Sequence, residues 1–300
     1  MLPLDLGPFT YSDTSGILDG QRAKNGGFPP SKNCLSLLSK AKRQKEAAMK
    51  TNRERNAQRE FLKDHIRLRT NFSRTDQNRR IPPPPIEKAF CAEAERVPLQ
   101  APGQWSTIQP IDITKAIENR RSCRKYLEQP LSLEELAYLL WATQGTRSVN
   151  ISGSAYRTVP SAGCRHAFET YLAVLNVQDL KPGIYRYLPL EHELLLEFEA
   201  ERLAEQLKTA ALHQSFVGKS AVTFIWTVIP YRMEWRYGPA SYKVLAIDIG
   251  HVGQNLYLAC AAVNAGTCAI AAYHQDRMDA LLRVDGEDEF ALYLAPVGKV

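Results

Sequence analysis

Within five positions the chain places three guanidinium groups and a hydroxyl: Arg120, Arg121, Ser122 and Arg124. Guanidinium forks bind phosphate oxygens two at a time, so a donor set of this size suits one phosphate monoester. Read alone, the same stretch is also a solvated basic helix end that complements the helix dipole. A second candidate lies 36 residues on, where Pro160, Ser161, Ala162 and Gly163 form a small-residue turn followed by Arg165 and His166. Small side chains let main-chain N–H and C=O groups approach a flat ligand, while an ordinary turn feeding a core strand has the same composition. His166 and His251 are candidate polar contacts, although a lone histidine is often only a satisfied structural residue.

The elements that must position these groups can be read from periodicity. Asp112 is an N-cap for a helix running to Arg121, with Ile113, Ala116 and Ile117 at helical spacing. Ser132 and Glu135 form a capping box for a second helix, and Gly145 stops it. A strand is expected over 171–177, a hairpin over 183–188 and 193–198, and a helix over 199–213. Residues 221–229 are a continuous apolar, β-branched and aromatic run, as a central strand buried on both faces requires. A long helix over 242–265 is apolar on more than one side, so it is buried in the body or between subunits. A short helix over 276–282 and a strand over 290–298 close the chain.

Ahead of this body the composition changes. Residues 1–96 hold 19 Lys and Arg against 11 Asp and Glu, whereas residues 97–300 hold 19 against 21, so the net charge of +6 belongs to an N-terminal arm. Residues 1–48 read as a disordered extension, with Met49 a natural translation start. Residues 49–104 read as a basic arm with a Pro-rich linker, Ile81–Pro85, wrapped over the body or over a partner subunit, and residues 105–300 as the folded domain. Arg59-Glu-Phe-Leu-Lys63 resembles the end of a twin-arginine export signal, but Gln58 replaces the second arginine and no apolar region follows. The arm lacks the interleaved aromatics of a nucleic-acid binder, so nucleic acid is not the expected partner.

The exclusions are as informative. No run approaches the roughly 18 apolar residues of a membrane span. The six cysteines are scattered, without a C-x-x-C pair or a zinc-finger pattern, so neither disulfides nor a metal is expected and the thiols fit a cytoplasmic protein. No dinucleotide fingerprint, phosphate-binding P-loop, nucleophile elbow or zinc-protease motif occurs.

Taken together, Arg-Arg-Ser-x-Arg-x-Tyr from Arg120, Thr-Val-Pro-Ser-Ala-Gly-x-Arg-His from Thr158, Trp235-Arg-Tyr-Gly238, Gly250-His-Val-Gly-Gln-Asn-Leu256, Gly266-Thr-Cys-Ala-Ile270 and Leu292-Tyr-Leu-Ala-Pro-Val-Gly298 resemble the nitroreductase superfamily. The nearest branch is the SagB/ThcOx-type FMN-dependent dehydrogenases, and the likeness runs collinearly over residues 105–300. It implies an α+β fold with a mixed, mainly antiparallel sheet flanked by helices. It also implies a long central helix at a homodimer interface, with FMN bound between subunits. By this resemblance Arg120, Arg121, Ser122 and Arg124 hold the FMN phosphate. Pro160, Ser161, Ala162 and Gly163 line one edge of the ring, and Ala269, Ile270, Ala271 and Ala272 approach it from the other side.

Chemistry then belongs to the flavin N5, with His166 and Tyr237 as candidate catalytic side chains. The implied activity is an FMN-dependent oxidoreductase exchanging hydride with a small organic or peptide substrate, NAD(P)H being a candidate reductant. Azoline-oxidising members are associated with a Lys-Tyr pair, whose place is taken here by Arg236-Tyr237, and arginine is a poor base. Ala167 and Ala271 stand where many relatives carry proline and glycine. The alternative reading is a flavin-binding partner or scaffold subunit without turnover.

Overall fold

The computed structural model describes residues 49–150 and 154–300; the expected extension over 1–48 lies outside the described residues. The chain divides into two compact units, Met1–Gln58 and Arg59–Val300. Of the first, residues 49–58 are described and are helical, the start of a helix α1 seen over 49–60. Everything below concerns the second unit.

Its centre is a seven-stranded sheet of order β1-β6-β5-β4-β7-β9-β8 in which all the named pairings are antiparallel. The strands are β1 (Arg96–Pro98), β4 (Phe168–Val174), β5 (Gly183–Leu188), β6 (Glu193–Glu199), β7 (Val222–Val228), β8 (Ala265–Thr267) and β9 (Phe290–Lys299). Residues of β4 and β7 are buried along their whole length, in keeping with the continuous apolar run in β7. Alternation then splits the core in two. Phe168, Leu172, Phe224 and Trp226 pack with α4 (Leu133–Gln144) and α7 (Ser241–Ala262) on one side. Tyr171, Ala173 and Ile225 pack with α5 (Leu203–Ala210) and α8 (Gln275–Leu282) on the other.

The remaining elements are a small hairpin, β2 (Thr146–Val149) with β3 (Ala155–Arg157), and the helices α2 (His65–Arg69), α3 (Ile113–Asn119) and α6 (Tyr231–Tyr237). Asp112 caps α3 as expected, accepting from the Lys115 N–H, but the helix ends at Asn119 and Arg120 is already extended. The expected helix over 199–213 is shorter, and the first central strand begins at Phe168 rather than 171.

Helix α4 has the full capping box, Ser132 and Glu135 exchanging side-chain to backbone bonds of 3.1 and 2.9 Å. Gly145 stops α4 for a reason other than a left-handed cap. Its φ is −57°, and a Cβ there would stand 2.5 Å from Trp141 Cδ1. Close packing under the turn, not backbone freedom, excludes a side chain.

The proline-rich linker is stitched to the sheet unit through its carbonyls. Ile81 O accepts from Trp235 Nε1 (2.9 Å), Ile86 O from Arg157 (3.0 Å) and Lys88 O from Arg186 (2.8 Å). A chain too poor in donors and apolar groups to fold alone is thereby held by side chains whose own burial it completes. Replacing Ser132 with alanine removes one cap bond and is expected to lower unfolding free energy by about 1 kcal/mol. Urea denaturation monitored by circular dichroism checks this, and an unchanged midpoint would contradict it.

Candidate functional site

A cleft of about 720 Å³ opens between α3, α4, α7 and the chain from Tyr156 to His166, with Trp141, Arg147, Ser161, His166, Asn255 and Leu258 in its walls. The loop in it is clamped at both ends. Thr158 donates its hydroxyl to Trp141 O (2.7 Å) and its N–H to Gly145 O (2.9 Å). Farther on, the Ala162 N–H donates to Asp248 Oδ2 at 3.1 Å and the His166 N–H to Ser161 Oγ at 3.0 Å. The Ser161 hydroxyl also bonds the Asp248 carboxylate. Asp248 is buried, which pushes its pKa up, while the Ser161 and Ala162 donors and His251 favour the charged form. One carboxylate on α7 thus fixes the conformation of the whole turn.

Gly163 has φ +61°, and a Cβ there would lie 2.8 Å from both the Arg236 side chain and the Tyr237 hydroxyl. The resemblance-derived pair Arg236-Tyr237, on α6, therefore touches the back of the 160–163 turn, whereas His166 lines the cleft in front. His166 is 3% exposed with φ +43°. Burial, reinforced by the neighbouring Arg157 charge, holds its pKa down at about 3. At neutral pH it is an uncharged ring that can donate or accept a hydrogen bond but carries no proton to give as an acid. Arg157 is itself buried, its pKa pushed down to about 10, and bonds Gln144 Oε1 at 2.9 Å.

The arginine cluster lies elsewhere, in a second cleft of about 300 Å³ lined by Arg120, Arg121, Cys123, Tyr257 and Thr267. Its hub is Tyr257. The phenol hydroxyl lies 2.9 Å from Ser122 Oγ and accepts from the Ala269 N–H at 2.9 Å, and the Arg120 guanidinium sits 5.3 Å from the ring centroid. Cys123 N–H donates to Thr267 O (2.9 Å), which binds the two segments side by side.

The sequence-predicted residues of 120–124 and 269–272 are thus brought together, with two qualifications. Arg124 turns away to the Phe216 ring, 5.9 Å off, beside the Gln214 side chain that donates to Ala272 O. Ile270 buries its side chain in the second core, and both its N–H and its C=O are bonded to Leu294, at 2.7 and 3.1 Å, so it offers a ligand neither side chain nor backbone hydrogen bond. Among the described residues, no carboxylate forms an ion pair with Arg120, Arg121 or Arg124. Such unpaired donors beside a hydroxyl are the chemistry a phosphate monoester requires.

The two clefts flank α3, sharing Ala116, and neither brings the arginines to the 160–166 turn. Their anchors on α7, Asp248 and Tyr257, are nine residues apart, about two and a half turns, and so point to opposite sides of the helix. Both anchors escaped the sequence reading. The available signal for Asp248 was a carboxylate within the apolar run Val244–Ile249, a costly position without fixed donors.

The nitroreductase family model matches residues 117–299. The chain belongs to the nitroreductase family. Members of this family are oxidoreductases that generally use FMN. Its relatives include a Methanocaldococcus jannaschii protein described as a nitroreductase, MJ1384, 30% identical over 65% of this chain and 95% of the relative. The trifolitoxin-processing protein TfxB of Rhizobium leguminosarum bv. trifolii is 29% identical over 55% of this chain, which spans about half of TfxB (47%). A crystal structure of a nitroreductase from Ralstonia eutropha JMP134 superposes with a TM-score of 0.58 at 25% identity, covering 73% of this chain and 94% of that one. Among the described residues there is no group of three metal-ligating side chains, and no described helix is long and apolar enough to cross a membrane.

The depressed His166 pKa carries a stability signature. The unfolded ring, with its ordinary value of 6.5, takes up a proton before the folded one does as pH falls, so stability is lost as pH drops from 6.5 toward 3. Between pH 7 and 5 the contribution is about 2 kcal/mol. Urea unfolding at both pH values is expected to show that much more loss in the parent than in His166→Gln; equal losses would contradict the assignment.

Proposed function

We propose that this nitroreductase is an FMN-dependent, SagB-type oxidoreductase working as a homodimer in the cytoplasm. The observation that carries the reading is the second cleft: guanidinium groups of Arg120 and Arg121 without carboxylate partners, beside Ser122, Tyr257 and the Ala269 main chain. One phosphate-sized donor set, without a dinucleotide fingerprint, favours FMN over FAD. Arg120, Arg121 and Ser122 hold the phosphate, while Arg124, turned to the Phe216 ring, contributes charge from outside the cleft. Ala269, Ala271 and Ala272 meet the ring through small side chains, while Ile270, anchored to Leu294, holds the segment in place. Pro160, Ser161, Ala162 and Gly163 form its other wall. The flavin, when bound, supplies hydride exchange at N5.

Placement supports the homodimer. Since the 160–163 turn and the arginine cluster hang from opposite sides of α7, one flavin reaches both when the turn comes from a second copy. Large apolar side chains on the same elements support this: Ile113 and Ile117 of α3 and Ile247 of α7 are 59%, 58% and 50% exposed in a single chain. Neutral His166 offers a hydrogen bond to ring or substrate. Tyr237, backed by Arg236 and Arg67 against its ring, is the candidate proton donor, since a permanently charged arginine cannot serve as base. The substrate is a small organic molecule or a peptide, the latter favoured by the likeness to the trifolitoxin-processing protein TfxB, with NAD(P)H as candidate reductant.

Two measurements test this. Heat release followed by mass analysis is expected to yield FMN from a particle of twice 33.8 kDa by light scattering. Stoichiometric FAD, or flavin retained by a monomer, would overturn the reading. Arg120→Ala is expected to weaken FMN retention about ten- to hundredfold, from the loss of a charge-assisted contact. Lys125→Ala, exposed and lining neither cleft, should leave it unchanged.

A further inference from the structure

On the far side of the sheet from α7, α5 and α8 leave a groove of about 620 Å³ between them, floored by Phe198, Ala210 and Leu281 and edged by Arg202, Arg277 and Arg283. Its α5 wall runs from Arg202 through Glu205, Gln206 and Thr209, two turns of helix or about 10 Å. Here Glu205 stands three residues from Arg202 and Asp276 is adjacent to Arg277, yet among the described residues none of the three arginines forms an ion pair.

Two of the three are also placed against local preference. Arg202 precedes the first turn of α5 with φ +56°, a left-handed position at a helix start where Ser, Asp or Asn is preferred and a cation opposes the dipole. Arg283 ends α8 with φ +57° and lays its guanidinium 3.7 Å from the centroid of Phe198, which fixes its direction into the groove. Arg202 breaks its local rule without a carboxylate partner among the described residues, and such positions are where function is expected.

We propose that this groove is a docking site for an acidic peptide segment. Charge complementarity selects the sign: three unpaired guanidinium groups against a single lining carboxylate, Glu205. The shape selects the class. A groove about 10 Å long with apolar side chains between its cations accommodates three or so extended residues, at about 3.3 Å each, whose carboxylates reach the rims while an aliphatic side chain meets Leu281 and Ala280. A lone phosphate would need the cations gathered at one point. The groove is also joined to the segment after Ala272, since the His274 N–H donates to Ala210 O at 2.8 Å. The inference does not rest on the flavin reading.

The test uses the full chain and a fluorescein-labelled twelve-residue peptide with alternating Asp, Glu and Leu, followed by anisotropy. Its control is the same peptide with Asn and Gln. The acidic peptide is expected to bind, the amide peptide to bind at least tenfold more weakly, and 500 mM salt to abolish the difference. Arg202→Gln, Arg277→Gln and Arg283→Gln are each expected to weaken binding about three- to tenfold. Lys208→Gln, on α5 but outside the groove, should not. Should a variant fail to fold, Arg277→Glu at an exposed α8 position serves in its place. Equal binding of the two peptides, or acidic-peptide binding that survives replacement of all three arginines, would overturn the proposal. So would arginine-dependent binding of inorganic pyrophosphate by a protein that ignores the peptide, since the groove would then be a small-anion site.

Discussion

A helix that runs through a body for 22 residues presents different neighbours on opposite sides, and the arrangement of this nitroreductase depends on that phase. Asp248 and Tyr257 are separated by a half-integral number of turns. The first gathers the 160–166 turn through Ala162 and Ser161, and the second gathers Ser122, Arg120 and Ala269. Shifting either anchor by two residues would rotate its segment by more than half a turn. The core beneath α7 prevents such a shift, because Leu245, Ile249, Val252, Leu256 and Ala259 are packed against the sheet. Sheet packing sets the helix phase, and the phase decides that the two clefts face apart.

Behind the site lies a set of buried charges that ties the polar interior to the linker. Glu169 on β4 is paired with Arg232 of α6 and lies 3.7 Å from Arg186 of β5. The same carboxylate accepts the Lys88 N–H at 2.9 Å, and Arg186 donates to Lys88 O. Charges removed from water are tolerated only when their hydrogen-bonding capacity is filled, and the linker backbone fills what the side chains leave open. Arg157 carries the same linkage to the cleft, reaching Ile86 O with one nitrogen and Gln144 with another, although its Nε has no partner among the described residues. The linker is thereby a structural partner of the loop that carries His166.

Much of this was legible in the sequence wherever signals are local. The Ser132–Glu135 box, the Asp112 cap, the 183–198 hairpin and the central strand over 222–228 depend on neighbours within a few residues and emerged with small shifts at their ends. The proximity of 120–124 to 269–272 came from resemblance. What stayed hidden was set by contacts between distant residues. The β2–β3 hairpin and helix α6 carry Arg157 and Trp235, which are held in place by bonds to the linker carbonyls of Ile86 and Ile81, far away in sequence. Asp248 and Tyr257 read as ordinary members of an apolar helix, because nothing in the chain announces which donors they meet. Gly145 was read correctly as a stop, but its cause, the Trp141 ring against its Cα, belongs to tertiary packing.

The central claim is that each FMN takes its phosphate cluster from one copy and its ring-edge turn from another, and subunit mixing tests it most directly. Arg120→Ala chains and Gly163→Val chains, differently tagged, are purified alone and as the mixed dimer, and FMN bound per dimer is measured. The account predicts little flavin on either parent dimer and about one FMN per mixed dimer, because one of its two sites draws an intact arginine cluster from one chain and an intact turn from the other. A mixed dimer that binds no more FMN than its parents would show that each site lies within a single chain, and would contradict the account.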